Sequence, residues 1–487
     1  MLRVLETDLR MTNGHLRMPF RFGIVTLTHC PHLFVRALLD IDGRRTWGIA
    51  ADMLPSKWFT KDPNSIYADE VADMLAVIQS ACAIAISAGA QANVFDLWER
   101  IYPAQLAWAG GRGYPPLLGG FGASLIERAM IDALCRDAAV PFSRILRENR
   151  LGIDLGKIHA ELTGAQPRDL LPPAPLRQVA VRHTVGMTDP LSDADISDAD
   201  RVDDGLPQSL EACIAAYGLS HFKIKLWGDL ARDARRLRKV VRVVTRSARG
   251  PLAFTMDGNE NFKTVAQFRE FWTALTADPA LAPLLKGLLF VEQPFHRSVA
   301  LDAHGLHDFA AWPGRPPTII DESDATLTSL RQALALGYAG TSHKNCKGVI
   351  KSIANAALLE YRRRTEPTRP FVLTGEDLIN IGPVALTQDL CMAANLGIAN
   401  VERNGHHYFK GLSLFDAKVQ DAALAAHPDL YRRHKKGFVT ANIAAGAMQI
   451  ASVVDRAFGA STDFDPTQFT PASEWTYASL ENPAPTS

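Results

Sequence analysis

Five short stretches decide how this chain is read: HFKIKLW at 221–227, LAFTMDGN at 252–259, LLFVEQPF at 288–295, PTIIDES at 317–323 and GTSHKNCKG at 340–348. Each is an apolar run of strand length that ends in a functional group: Lys223 with Lys225, then Asp257, Glu292, Asp321 and Lys344. Successive groups lie roughly 30 residues apart, the length that a strand, a loop and a crossover helix consume. The cadence predicts consecutive βα units of an α/β protein, a TIM-like (β/α)8 barrel. In such barrels functional residues collect at the C-terminal ends of the strands.

With Lys225 on the second barrel strand, Asp257, Glu292 and Asp321 fall on the third, fourth and fifth. Lys344 then falls on the sixth, diametrically opposite the second. Three acidic oxygens on neighbouring strands make a hard-cation site. Their number and type suit Mg²⁺ with positions open to water or substrate. The two lysines face each other across it, so a proton can be taken from, or returned to, either face of a carbon acid.

The Lys-x-Lys strand end, the Asp-x-Asn of Asp257 and Asn259, the Glu-Gln-Pro of Glu292 to Pro294 and the Asp-Glu-Ser of Asp321 to Ser323 come in a fixed order before a later lysine. Together they resemble the enolase superfamily, in its muconate lactonizing enzyme and mandelate racemase-like branch. The resemblance implies an α+β capping domain over 1–160, the barrel over 175–410, and a segment over 411–487 that returns to the cap. It makes Asp257, Glu292 and Asp321 the Mg²⁺ ligands, Lys225 and Lys344 the opposed acid/base pair, and Lys223 a holder of the substrate carboxylate. Asn259 would brace the metal site, and Glu322 would stand behind the ligands or bond to Lys344. Glu402 would bond the substrate carboxylate, and His406 or His407 would protonate a leaving hydroxyl. Two cap loops, near Pro19–Ile24 and Leu54–Asp62, would bring Phe20 and Trp58 to the substrate. Lys225 has an ordinary pKa of about 10.4, and Mg²⁺, Lys223 and Lys344 would draw it toward neutrality.

The activity so implied is removal of the α-proton of a carboxylate substrate to a metal-stabilised enediolate. Dehydration of an acid-sugar type or racemisation/epimerisation would follow. A cycloisomerase of the muconate lactonizing type, a non-catalytic carboxylate-binding barrel and a metal-water hydrolase remain alternatives. The family also implies a homo-oligomer. Two departures from its pattern stand out. Lys344-Asn345-Cys346-Lys347-Gly348-Val349 is one residue shorter than the usual sixth-strand motif and lacks one glycine. The seventh strand, ending Thr374-Gly375-Glu376-Asp377, carries no histidine, and the eighth, VERNGHH, carries no Asp-x-Asp.

The rest of the chain is consistent with such a frame. Lys+Arg and Asp+Glu are both 52 among 487 residues, so no global field attracts nucleic acid or an anionic membrane. Six scattered cysteines without a C-x-x-C pair predict reduced thiols and, with no apolar h-region in MLRVLETDLR, a cytoplasmic setting. No run of 18 apolar residues predicts a membrane span. MPFRFGIVTLTH and LFVRALLDIDGRRTWGIAADM read as strands, with Asp42-Gly43 as a hairpin turn. SIYADEVADMLAVIQSACAIAISAG and GASLIERAMIDALCRDA read as helices. RQVAVRHTVGM reads as the first barrel strand, FVLTGED as the seventh and IANVERNG as the eighth. The Asp-rich DPLSDADISDADRVDDG reads as a solvated loop, and the terminal ENPAPTS as disordered.

Overall fold

In the computed structural model, residues 1–461 and 464–481 are described; Asn482–Ser487, expected to be disordered, lie outside them. Eight parallel strands close on themselves: β4 (Gln178–Val185), β5 (His221–Lys225), β6 (Ala253–Asp257), β7 (Leu288–Glu292), β8 (Thr318–Ile320), β9 (Gly340–His343), β10 (Val372–Gly375) and β11 (Asn400–Arg403). Closure is the β11–β4 pairing, with Asn400 opposite Ala180 and Arg403 opposite His183. The eight-stranded parallel barrel read from the spacing is therefore present, with Lys225 on its second strand.

Register places the chemistry. Lys225 pairs with Asp257 across β5 and β6, and Asp257 with Glu292 across β6 and β7. Residues paired across parallel strands share one height and one face, so these three side chains enter the barrel at the same level. Asp321, Lys344 and Glu376 each follow immediately after β8, β9 and β10.

The first three strands form the cap: β1 (Leu2–Phe22), β2 (Val25–Ile41) and β3 (Arg44–Met53). The β2–β3 turn has φ of 49° at Asp42 and 84° at Gly43, the left-handed pair that a two-residue hairpin requires. Against this sheet lie α1 (Tyr67–Ser87) and α3 (Pro116–Asp137), with α2 (Val94–Gly110) packed on those two helices. α1 is long and apolar enough to cross a membrane by length and composition; here it buries Val71, Met74, Val77, Ile78 and Ala81 within the cap. Nothing in the sequence reading marked α2, because Pro103 interrupts its pattern; the proline sits on the exposed side of the helix.

The C-terminal segment serves both bodies. Ala447–Gln449 pairs antiparallel with the first residues of β4, and Thr470–Pro471 adds an edge strand to β1. The N- and C-terminal sheets thus make one cap. Buried polar groups fix it to the barrel. Arg128 of α3 pairs with Asp52 of β3 at 2.5 Å, and Asn380, beyond β10, donates to Asp52 at 2.7 Å. Glu127 accepts the amide of Ile350 at the start of the helix after β9, and burial pushes its carboxyl up to about 7. The Asp-rich loop is less solvated than its composition suggests. Asp204 is buried against Arg17 at 2.5 Å, and Asp189 accepts from Tyr408 at 2.7 Å. All six cysteines are buried and unbridged.

Candidate active site

The barrel mouth is a cluster of paired charges. The Lys223 Nζ lies 2.7 Å from Glu402, 2.8 Å from Glu292, 2.9 Å from Glu376 and 3.2 Å from Asp257. Lys225 donates to Asp257 at 2.5 Å. Lys344 lies 2.8 Å from Asp321 and 3.3 Å from Glu376. Two further cations enter: Lys347 at 2.6 Å from Asp321, and Arg182 of β4 at 3.2 Å from Glu376. Arg182, Lys223, Lys225, Lys344 and Lys347 thus face Asp257, Glu292, Asp321, Glu376 and Glu402, five basic groups against five acidic ones. Buried ions persist only when paired in this way.

The partners decide each charge state. Burial works to lower the Lys223 pKa, but the carboxylates of Asp257, Glu292, Glu376 and Glu402 outweigh it and hold it well above the ordinary range. Lys225 and Lys344 follow the same rule, burial being outweighed chiefly by Asp257 and by Asp321 respectively. Beside Asp257 the downward shift expected for Lys225 is therefore reversed. Burial opposes ionisation of Asp321, yet Lys344, Lys347 and Lys223 keep it well below the usual carboxylate range. Glu292 goes the other way, raised by burial and then by Glu376, Asp257 and Asp321.

Glu292, Asp321 and Glu376 bring one oxygen each within 4.8 Å of one another, a candidate acidic metal-ligand triad at the barrel face. Neither Glu292 oxygen accepts a hydrogen bond of good geometry, although both are buried. A divalent cation would satisfy them, and an all-oxygen donor set suits Mg²⁺. The expected set was Asp257, Glu292 and Asp321. The structure brings the last two together, adds Glu376 and leaves Asp257 outside, tied to Lys225 and Lys223.

The remaining expected residues divide. Asn259 braces the end of β6: its amide N–H donates to Asp257 Oδ1 at 2.9 Å and its side chain to Asp257 O at 3.0 Å, at a φ of 47° that asparagine tolerates. Glu402 is buried, accepting from Thr184 at 2.6 Å as well as facing Lys223. Glu322 lines the cavity without bonding to Lys344; burial first, and then Asp321, push it up to about 8. His343 points outward to Ser352 at 2.8 Å, as strand alternation requires. His406 does not join the site. It lies behind the barrel wall, with Nε2 3.1 Å from His183 Nδ1.

Phe20 and Trp58 both reach the mouth. With Phe22, Pro55, Lys225, Asp257, Lys344 and Glu402 they line a cavity of about 60 Å³. The Lys344 Nζ lies 4.6 Å from the Trp58 ring centre, in cation–π range. Lys57 turns back to Glu70 at 3.0 Å, and Phe59 packs on Phe121. Arg297 anchors this loop from the barrel side, donating to the carbonyls of Phe59 at 2.8 Å and Trp58 at 3.1 Å while paired with Glu260 at 2.7 Å.

The sequence reading assigned no site role to Arg182 or Lys347, and noted Glu376 only as part of a strand end. Inward alternation on β4 marks Arg182. Lys347, by contrast, reaches Asp321 only because Asn345–Lys347 forms a single 3₁₀ turn.

No family model and no curated protein sequence matches the chain. Solved structures do. A 2-chloromuconate cycloisomerase from Rhodococcus opacus 1CP superposes with a TM-score of 0.60 at 15% identity, covering 95% of this chain and 97% of its own. A mandelate racemase/muconate lactonizing protein from Herpetosiphon aurantiacus gives 0.57 at 16%, covering 93% and 97%. A dipeptide epimerase from Enterococcus faecalis V583, solved with Mg and the dipeptide L-Leu-L-Tyr, gives 0.56 at 15%, covering 92% and 99%. Over more than nine-tenths of its length, the chain therefore has the fold of the mandelate racemase and muconate lactonizing branch of the enolase superfamily.

Proposed function

We propose that this protein is a Mg²⁺-dependent enzyme that removes the α-proton of a small carboxylate substrate, as a lyase or isomerase of the enolase-superfamily type. The observation that supports this reading is a cavity roofed by Phe20 and Trp58 into which Lys225 and Lys344 reach from the ends of opposite strands, with Asp321 joining it to the buried acidic triad behind. Glu292, Asp321 and Glu376 would hold the cation, and Asp257 could join them by exchanging its contact with Lys225. When bound, Mg²⁺ would supply positive charge to offset the negative charge that develops on the substrate carboxylate.

The charge balance explains what the lysines do. Added to this paired cluster, a divalent cation would bring positive charge that ionisation of Glu292, a substrate carboxylate and the loss of a lysine proton would offset. Lys225, freed from Asp257, would be lowered toward a working base. Lys344, held under Trp58, serves the opposite face. Lys223 fixes Glu402 and Glu376 and so sets the wall where the substrate carboxylate would dock. At about 60 Å³ the cavity is far below the roughly 300–1,000 Å³ of a small-molecule pocket. Substrate entry therefore requires the Trp58 loop or the Phe20 hairpin to move. The match to both a cycloisomerase and an epimerase leaves the fate of the intermediate, reprotonation, elimination or ring closure, to the substrate.

The test is α-proton exchange. A library of α-substituted carboxylates is incubated in deuterated water with Mg²⁺ and enzyme, and deuterium at the α-carbon is read by NMR. Exchange is expected for at least one substrate, with Lys225→Ala and Lys344→Ala each losing about 10²–10⁴-fold in rate. Wild-type exchange rates in both variants would sink the assignment of the base.

A further inference from the structure

Behind the barrel wall, on the outer face of β4, lies a second cluster of metal-competent side chains that the proposed reaction does not use. Strand alternation divides β4: Arg182 and Thr184 turn inward to Glu376 and Glu402, and His183 turns outward. Outside it meets Cys213, from the helix Leu210–Tyr217, and His406 with His407, from the turn after β11. One ligand atom each of His183, Cys213 and His407 lies within 4.8 Å of the others, and all three residues are buried. The Cys213 Sγ is 3.5 Å from His407 Nδ1. Two ligands of one tetrahedral zinc, at about 2.3 Å for sulfur and 2.0–2.1 Å for nitrogen, stand about 3.5 Å apart.

Here we propose that His183, Cys213 and His407 form a buried three-donor transition-metal site of the zinc or cobalt class, separate from the carboxylate site, with His406 orienting His183. Borderline-soft nitrogen and sulfur donors select such ions over Mg²⁺, which takes oxygen. One further observation supports the assignment. The buried His406 Nδ1 has no hydrogen-bond partner among the described residues, while its Nε2 holds His183 Nδ1 at 3.1 Å, the kind of contact that fixes the tautomer of a ligating imidazole. Binding would displace the Cys213 thiol proton to solvent and leave the thiolate on the metal. The ion would tie the helix after β4 to the turn after β11. That turn continues into Tyr408, whose ring packs 4.2 Å from Phe20 of the cap. Its place is structural: it holds the eighth-strand wall and the Phe20 hairpin in register.

The experiment uses the full chain produced in cells supplied with Co²⁺ and purified without chelator. Wild type should show a thiolate-to-Co²⁺ charge-transfer band in the near ultraviolet, and Asp321→Asn, which disrupts the carboxylate triad, should keep it. Cys213→Ser should abolish it, and His406→Ala should weaken Co²⁺ retention by about 10–100-fold. Because Cys213→Ser could fail to fold, wild-type crystals grown with Zn²⁺ give a test that needs no variant. An anomalous peak at the zinc edge should lie between His183, Cys213 and His407. A wild-type protein with no thiolate band and no peak there, or a band that survives in Cys213→Ser, would overturn the proposal.

Discussion

The barrel mouth and the histidine cluster behind it are separated by one strand and are equally buried, yet they end in opposite charge states. In the mouth Lys223, Lys225 and Lys344 each meet a carboxylate within about 3 Å and stay charged. Behind the wall no carboxylate among the described residues reaches His183, and burial holds it down to about 4. Burial does not set ionisation; the partner that comes with it does. One region is consequently suited to hard cations and proton transfer, the other to neutral nitrogen and sulfur donors.

The comparison breaks most visibly at Lys223. Lys223→Met leaves Asp257, Glu292, Glu376 and Glu402 without their shared cation and should cost about 3–5 kcal/mol of stability in chelator, as for removal of one partner from a buried ion group. Mg²⁺ should restore much of the loss, read as the shift in urea midpoint with and without the metal. A midpoint indifferent to Mg²⁺ would argue against the triad as a cation site.

The neutral-burial half of the comparison is sharpened at His32. This imidazole lies in the cap core, lowered to about 3 by burial, with its Nε2 unpartnered. Folded His32 refuses a proton that the unfolded chain accepts below about pH 6.5. Its contribution is therefore complete above that pH and is lost as pH falls toward 3. The stability gap between wild type and His32→Gln should change by about 1.4 kcal/mol per pH unit from 6.5 downward, in the direction of the variant. Urea midpoints at pH 7, 6 and 5 read the slope; parallel curves would mean that His32 is protonated in the folded protein.

Arg297 tests whether the roof of the mouth is held by charge. Arg297→Ala removes the donors to the Trp58 and Phe59 carbonyls and should speed tryptic cleavage at Lys57 and Lys61 roughly tenfold, as local opening becomes easier. Unchanged cleavage would place the anchor elsewhere. The smallest effect is expected at the surface, where Arg177 pairs with Asp455 at 2.6 Å and both are more than half exposed. Solvent screens such a pair, so Arg177→Ala should leave the urea midpoint where it was.

Much of this architecture was legible in the chain. A functional residue every 30 or so positions at the end of an apolar run can only be a βα repeat, and strand period two then assigned Lys225 inward and His343 outward. Asp42-Gly43 marked a hairpin because only that local conformation turns two strands so tightly. Local rules of this kind act within a few residues and survive in one dimension. The ligand set did not survive in the same way. Whether Asp257 or Glu376 stands with Glu292 and Asp321 depends on how far each side chain reaches across the barrel, and on the Lys223 ammonium that draws four carboxylates together.

The His183–Cys213–His407 cluster was hidden for the same reason. His183 and His407 are separated by most of the barrel sequence and meet only because β11 closes against β4. Residue types, strand period and turn chemistry are properties of the chain taken locally. Which charges share a partner, and which imidazoles are left neutral, follows from a closure that brings together residues more than two hundred positions apart.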